Sequence, residues 1–136
     1  MKVLNGVYIV LILLSMNSCD KEDRVYHSIT GSWRCEEFNH LLGTSVYLVD
    51  IDRKKSDSTQ YLLSNFHNQD SEESIEFVYA QLIDSTLKIS RQPFAGLVVK
   101  SGAGAVSSDF TLIEFDYEIF DGTNDISVHA TYSRPK

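Results

Sequence analysis

Apolar residues along this chain recur mostly at every second position, in short runs separated by clusters of Gly, Asn, Asp and Ser. The pattern is clearest near the C-terminus. Ile113, Phe115, Tyr117 and Ile119 alternate with Glu114, Asp116 and Glu118, and Ile126, Val128, Ala130 and Tyr132 alternate with Ser127, His129 and Thr131. A period of two sends successive side chains to opposite faces of a strand, and no 3.6-residue period competes with it from Ile29 onward. The runs predict eight strands: Gly31–Phe38, Ser45–Asp52, Thr59–Phe66, Glu73–Ile83, Thr86–Ser90, Gly96–Ser107, Phe110–Phe120 and Asp125–Ser133. Pro93 marks a break between the fifth and sixth, and Gly102 and Gly104 suggest a bulge or sharp bend within the sixth.

Eight short strands joined mostly by hairpin-length loops predict an all-β fold, an eight-stranded antiparallel up-and-down barrel. Closure removes the two exposed edges of the meander. A β-sandwich of the same length is the alternative, but the Cys…Trp…Cys spacing of immunoglobulin domains is absent. In a barrel, Trp33, Tyr47, Phe77, Tyr79, Phe115, Tyr117 and Tyr132 are expected to point inward. Eight strands enclose just enough room to be filled by side chains or to hold one small ligand. Glu37, Asn65 and Gln81 fall on or near the same face. With Tyr79 and Tyr117 they either orient a ligand or lie in water at an open rim.

The N-terminus follows a different pattern. Lys2 precedes an apolar run, Val7 to Leu14, which is bounded by Asn5 and Ser15 and is too short for the roughly 20 apolar residues of a membrane span. A positive start, a short apolar core and a small-residue zone make a secretory signal over residues 1–18. Met16-Asn17-Ser18-Cys19 resembles the cleavage and acylation site of bacterial lipoproteins, which implies lipid on Cys19. Lys21-Glu22-Asp23 is similar to the export tag of Bacteroidetes surface lipoproteins, which implies an outer-membrane, cell-surface location. A buried CH₂ contributes ~0.8 kcal/mol, so a multiply acylated Cys19 anchors a protein without any hydrophobic helix. Residues 19–28 then read as a flexible tether and 29–136 as the folded domain.

Charge narrows the partners. The 136 residues carry a formal charge of −7; beyond Ser18, eleven basic residues face nineteen acidic ones, or −8. Nucleic acid, whose phosphates require Lys and Arg, is excluded as a partner. The one basic run, Arg53-Lys54-Lys55, is flanked by Asp50, Asp52 and Asp57 and reads as a solvated turn. With Cys19 acylated, Cys35 is left unpaired and reads as a buried structural thiol.

Gly31-Ser32-Trp33 at the first strand resembles the Gly-x-Trp signature of lipocalins and their calycin relatives. The resemblance implies that Trp33 plugs one end of the barrel beneath a basic residue from the last strand, for which Arg134 is the candidate. The domain as a whole is similar to small lipocalin-like lipoproteins of Bacteroidetes, through stretches such as Ser64-Asn65-Phe66, Leu87–Gln92 and Gly102–Ser107. Asp57-Ser58-Thr59 and Asp84-Ser85-Thr86 resemble the O-glycosylation motif of exported Bacteroidetes proteins, which implies modification at Ser58 and Ser85.

Chemistry of other kinds is missing from the sequence. There is no Gly-x-Ser-x-Gly elbow, and His27, His40, His67 and His129 lack metal-ligand spacing and read as surface or loop residues. Glu114, Asp116 and Glu118 share one strand face and read as a solvated outer wall. No catalytic residue, metal or cofactor is expected. The leading expectation is a lipid-anchored, non-catalytic protein that binds a small apolar or amphipathic molecule at the open barrel end. The alternative is a filled barrel that binds other proteins, suggested by apolar residues on both faces of the second run, Val46 and Leu48 against Tyr47 and Val49.

Overall fold

A computed structural model of the chain describes residues 24–70 and 76–136. The expected signal segment 1–18, Cys19 and the expected tag Lys21-Glu22-Asp23 lie outside the described residues. Among the described residues nine strands follow one another: β1 (Gly31–Asn39), β2 (Gly43–Arg53), β3 (Gln60–Ser64), β4 (Phe77–Ile83), β5 (Thr86–Ile89), β6 (Gln92–Phe94), β7 (Leu97–Val106), β8 (Leu112–Phe120) and β9 (Asp125–Ser133). A 3-10 turn, Phe66–Asn68, follows β3. Consecutive strands pair antiparallel except β5 and β6, which both pair with β7, and β9 pairs back onto β1. The result is a closed eight-stranded up-and-down barrel, as the alternation predicts.

The ninth strand does not add a stave to the ring. Ile89 lies opposite Gly102 and Gln92 opposite Val99, so β5 and β6 keep one unbroken register against β7. They are a single stave interrupted at Ser90-Arg91. The sequence reading stopped at Pro93 because proline cannot donate to a ladder. Here its nitrogen needs no partner on the β4 side, where the pairing has already opened. Side chains close that seam instead. The Tyr79 N–H donates to Gln92 Oε1 and Gln92 Nε2 donates to the Tyr79 carbonyl, both at 2.8 Å, while the Ala95 N–H donates to the Glu76 carboxylate.

The glycines of β7 also differ from expectation. The ladder irregularity falls between Val99 and Ser101, at Lys100, and not at Gly102 or Gly104. Both glycines face inward and make room for rings. A Cβ on Gly104 would sit 2.7 Å from Phe115 Cε2 and 2.9 Å from Ile113 Cγ2.

One end of the barrel is closed as the resemblance implies. Trp33 is fully buried, its Nε1 donates to the Ile29 carbonyl at 2.8 Å, and the Arg134 guanidinium lies 3.9 Å from its ring centroid. Arg134 also donates to the carbonyls of Phe110, Thr30 and Ser28 at 3.0, 3.1 and 2.6 Å. On its other side Arg134 stacks on Tyr26, 4.1 Å away, so this stretch of the expected tether lies against the barrel end. Gly31, at φ +117, passes under the guanidinium, and a Cβ there would meet Arg134 Nη1 at 3.2 Å. Burial of a Trp on this scale is worth about 3–5 kcal/mol against truncation.

Candidate functional site

The inward face of β4 is the opposite of the one expected. Val78 and Ala80 are buried, whereas Phe77, Tyr79 and Gln81 lie outside, Tyr79 at 49 % exposure. The run is apolar at both parities, so alternation could not choose between them, and a slip of one residue exchanges the faces. Volume makes the choice. The interior is already occupied by Trp33, Tyr61, Phe66, Phe115, Tyr117 and Tyr132, which leaves space for Val and Ala only. Gln81 pairs with Gln60 and Lys88 towards the Trp33 end, far from any open mouth.

Asn65 is not a pocket residue either. It adopts φ +54, its Nδ2 donates to the Leu48 carbonyl at 2.7 Å and its Oδ1 accepts from the Asp70 N–H at 3.2 Å. It turns the chain out of β3 so that the 3-10 turn folds across the barrel end opposite Trp33. There Phe66 is fully buried, tilted against Tyr117 at 4.6 Å between centroids and edge-on to Phe94 at 5.9 Å. The expected open end is therefore plugged.

Glu37 and Tyr117, from the expected pocket, do come together, with residues not expected beside them. Glu37 is 2 % exposed and His67 8 %. His67 Nδ1 lies 2.7 Å from Glu37 Oε1 and 3.1 Å from the Tyr117 hydroxyl. The hydroxyls of Tyr47 and Tyr117 both donate to Glu37 Oε2. Burial is the largest single influence on the Glu37 carboxyl and works to raise its pKa. The bonds from His67, Tyr117 and Tyr47 together outweigh it and hold the group below its ordinary value. Burial, aided by the neighbouring charge of Glu37, pushes both tyrosines up, and pushes the buried Cys35 thiol up to about 12. Cys35 thus stays a protonated core thiol. One step deeper, Tyr132, opposite Cys35 in the β1–β9 ladder, is fully buried and its hydroxyl has no hydrogen-bond partner among the described residues.

His67 is the residue that sequence reasoning missed, having read it as a loop histidine. It is in a loop, but the loop turns inward through backbone that L-residues rarely adopt. Asn65, His67 and Asn68 have φ of +54, +53 and +55. A left-handed conformation at a non-glycine residue costs of order 1–3 kcal/mol, which Asn meets more easily than His. The two asparagines flanking His67 were the available signal.

The outer wall carries the remaining features. Glu114, Asp116 and Glu118 face outward as expected, and each has a partner. Glu114 accepts from Thr131 at 3.0 Å and lies 3.3 Å from His129 Nε2, Asp116 meets His129 Nδ1 at 2.8 Å, and Glu118 meets Lys100 Nζ at 2.6 Å. The bond to Asp116 raises the His129 imidazole above its ordinary pKa. A groove of about 390 Å³ crosses this wall, lined by Phe38, His40, Asp116, Glu118 and His129 among others. Among the described residues no group of three or more His, Cys, Asp and Glu could hold a metal ion. Ser58 and Ser85 are exposed in turns.

The most apolar surface surrounds the β1–β2 hairpin. Phe38, Leu41, Leu42, Val46 and Leu48 are all more than half exposed, Leu42 at 76 %. β1 pairs with β2 from Gly43 to Ile51, whereas β3 pairs with β2 only from Asp50 to Arg53. Among the described residues, Thr44–Leu48 has no strand on its second side. Asn65 Nδ2 reaches the Leu48 carbonyl there, so by the period of two Val46 and Thr44 present their N–H and C=O groups to the same side.

The class of protein these features define is a closed antiparallel barrel with a filled core and a partly unpaired edge strand. Comparison with known proteins agrees at the level of the fold. A solved structure of a redesigned beta barrel superposes with a TM-score of 0.56 over 79 % of this chain and 92 % of its own, at 15 % sequence identity. No family model matches the chain, and no curated protein does.

Proposed function

We propose that this barrel is a non-catalytic protein-binding module, held at the outer-membrane surface by lipid on Cys19, that takes an extended segment of a partner protein along the free edge of β2. The observation that carries the reading is the stretch Thr44–Leu48, which has no strand on its second side among the described residues, with its exposed apolar neighbours. Natural proteins blunt such edges with charges, prolines or bulges. Thr44-Ser45-Val46-Tyr47-Leu48 contains none of these. A partner strand there would satisfy the backbone by β-augmentation and bury Val46 and Leu48. The interior supports the same reading, because a barrel filled by rings and plugged at both ends leaves its walls as the contact surface for anything large.

Placement supports it further. Residues 26–31 lie at the Trp33 end. Asn39, the end of β1, is eight strand residues beyond Gly31, about 26 Å away at 3.3 Å per residue. A chain tethered through its N-terminus would present the Leu41-Leu42 tip away from the membrane. A lipocalin-like ancestry, suggested by Trp33 under Arg134, is compatible with this role.

The test is site-specific photo-crosslinking in living cells. A crosslinker at Val46 should give one discrete adduct with a second protein, and a crosslinker at Lys88, on another stave, should not. Ser45→Pro, which disturbs the edge, should remove the adduct. Equal labelling from both positions, an adduct indifferent to Ser45→Pro, or an adduct of twice the chain's own mass would overturn the reading.

A further inference from the structure

We propose that the core of the barrel is a binding site for a small aromatic ammonium compound, with Glu37 as its carboxylate and the Phe66-His67 turn as a built-in occupant that the ligand displaces. The inference is independent of the edge-strand reading.

The argument begins with the carboxylate. A charge buried to this degree persists only with strong donors around it. Two of the three donors to Glu37, Tyr47 and Tyr117, belong to the barrel wall. The third belongs to a short turn reaching in from the end. That turn offers one nitrogen, His67 Nδ1, shared between Glu37 at 2.7 Å and Tyr117 at 3.1 Å. An ammonium group has three donors in place of one. It could serve Glu37 and still offer a hydrogen to the oxygen of Tyr132, which is fully buried, neighbours Cys35 across the ladder and has no hydrogen-bond partner among the described residues. The wall is thus built for more hydrogen bonds than the turn supplies.

The apolar part of the ligand follows from Phe66. Its ring is held between Tyr117 and Phe94, a slot lined by aromatic faces and adjacent to the carboxylate. A ligand with one ring and one ammonium reproduces the Phe66 and His67 side chains together. The turn itself is poised to leave, because Asn65, His67 and Asn68 are all held at positive φ, and release relaxes them. The same geometry excludes other ligands. An anion would meet Glu37, and a long chain would meet Phe115, Tyr132 and Trp33 packed below.

The test is isothermal titration calorimetry on the full chain in mild detergent, with benzylammonium as the probe and benzyl alcohol as its neutral counterpart. The wild type should bind benzylammonium saturably at one site, at least tenfold more tightly than benzyl alcohol. His67→Gly removes the internal competitor for the Glu37 carboxylate and suits φ +53, so it should tighten benzylammonium binding by about tenfold or more. Glu37→Gln should weaken it by at least tenfold. Should Glu37→Gln fail to fold, Tyr132→Phe preserves the packing and should weaken binding severalfold. Val46→Lys on the surface should leave it unchanged. Absence of saturable binding in both the wild type and His67→Gly, equal affinity for the alcohol, or insensitivity to both Glu37→Gln and Tyr132→Phe would overturn the proposal and leave the cluster as a purely structural network.

Discussion

At the scale of single residues, Glu37 shows how a buried charge is tolerated and what it implies for stability. Its carboxyl is depressed on folding, because the bonds from His67, Tyr117 and Tyr47 outweigh the effect of burial. A depressed carboxyl contributes stability that is complete above its unfolded pKa, near 4.5, and that is lost as pH falls through this value towards the lower folded pKa. The wild type should therefore lose stability steeply below about pH 4.5. Glu37→Gln should be less stable at neutral pH but lose less on acidification. Urea denaturation at pH 6 and at pH 3.5 measures this, and parallel losses in the two proteins would show that Glu37 is not the ionised acceptor. Cys35 and Glu37 on β1 were legible as inward positions from alternation alone. His67 was not, because a loop has no period. Its inward position depends on a backbone reversal that only the rest of the barrel makes worthwhile.

At the scale of elements, one stave is assembled from two strands and a side chain. β4 and β5 pair from Gln81 to Ile83 only, and beyond that point Gln92 supplies from its amide the donor and acceptor that a neighbouring strand would have supplied to Tyr79. Gln92→Ala should leave the barrel folded but open the seam. Hydrogen exchange of the Tyr79 amide should accelerate by an order of magnitude or more, while amides of the β8–β9 ladder stay protected. Unchanged exchange at Tyr79 would mean that the backbone holds the seam unaided. Overpacking at β7 acts in the other direction. Gly104→Ala forces a methyl against Phe115 and Ile113 and should cost about 1–3 kcal/mol in denaturant midpoint analysis, whereas alanine is expected to be innocuous at an ordinary outward strand position. Glycine in a strand was readable as special. Whether it marked a bend or a space for a ring was decided by Phe115 and Tyr117 on β8, which sequence order places more than ten residues away.

At the scale of the whole molecule, the two ends differ in kind. One is sealed by Trp33, Arg134 and residues 26–31, the other by a short turn that carries its own polar contact into the core. If Cys19 is the lipid anchor, Cys19→Ala should move the protein from the membrane pellet to the soluble fraction after cell lysis, and retention at the wild-type level would remove the anchor from the proposal. What the sequence determined by itself was the class of fold and its outline. The period of two in β8 and β9 specified strands and their faces, and short turn clusters specified a meander. These are local properties, because alternation and turn chemistry act over a few residues. What only the tertiary structure decided was everything that depends on shared volume and on residues distant in the chain. It put Val78 and Ala80 inside in place of Phe77 and Tyr79, joined β5 to β6 in one register, and brought His67 to Glu37. The interior of an eight-stranded barrel holds a fixed volume, and which rings occupy it is settled only when all the staves compete for the same space.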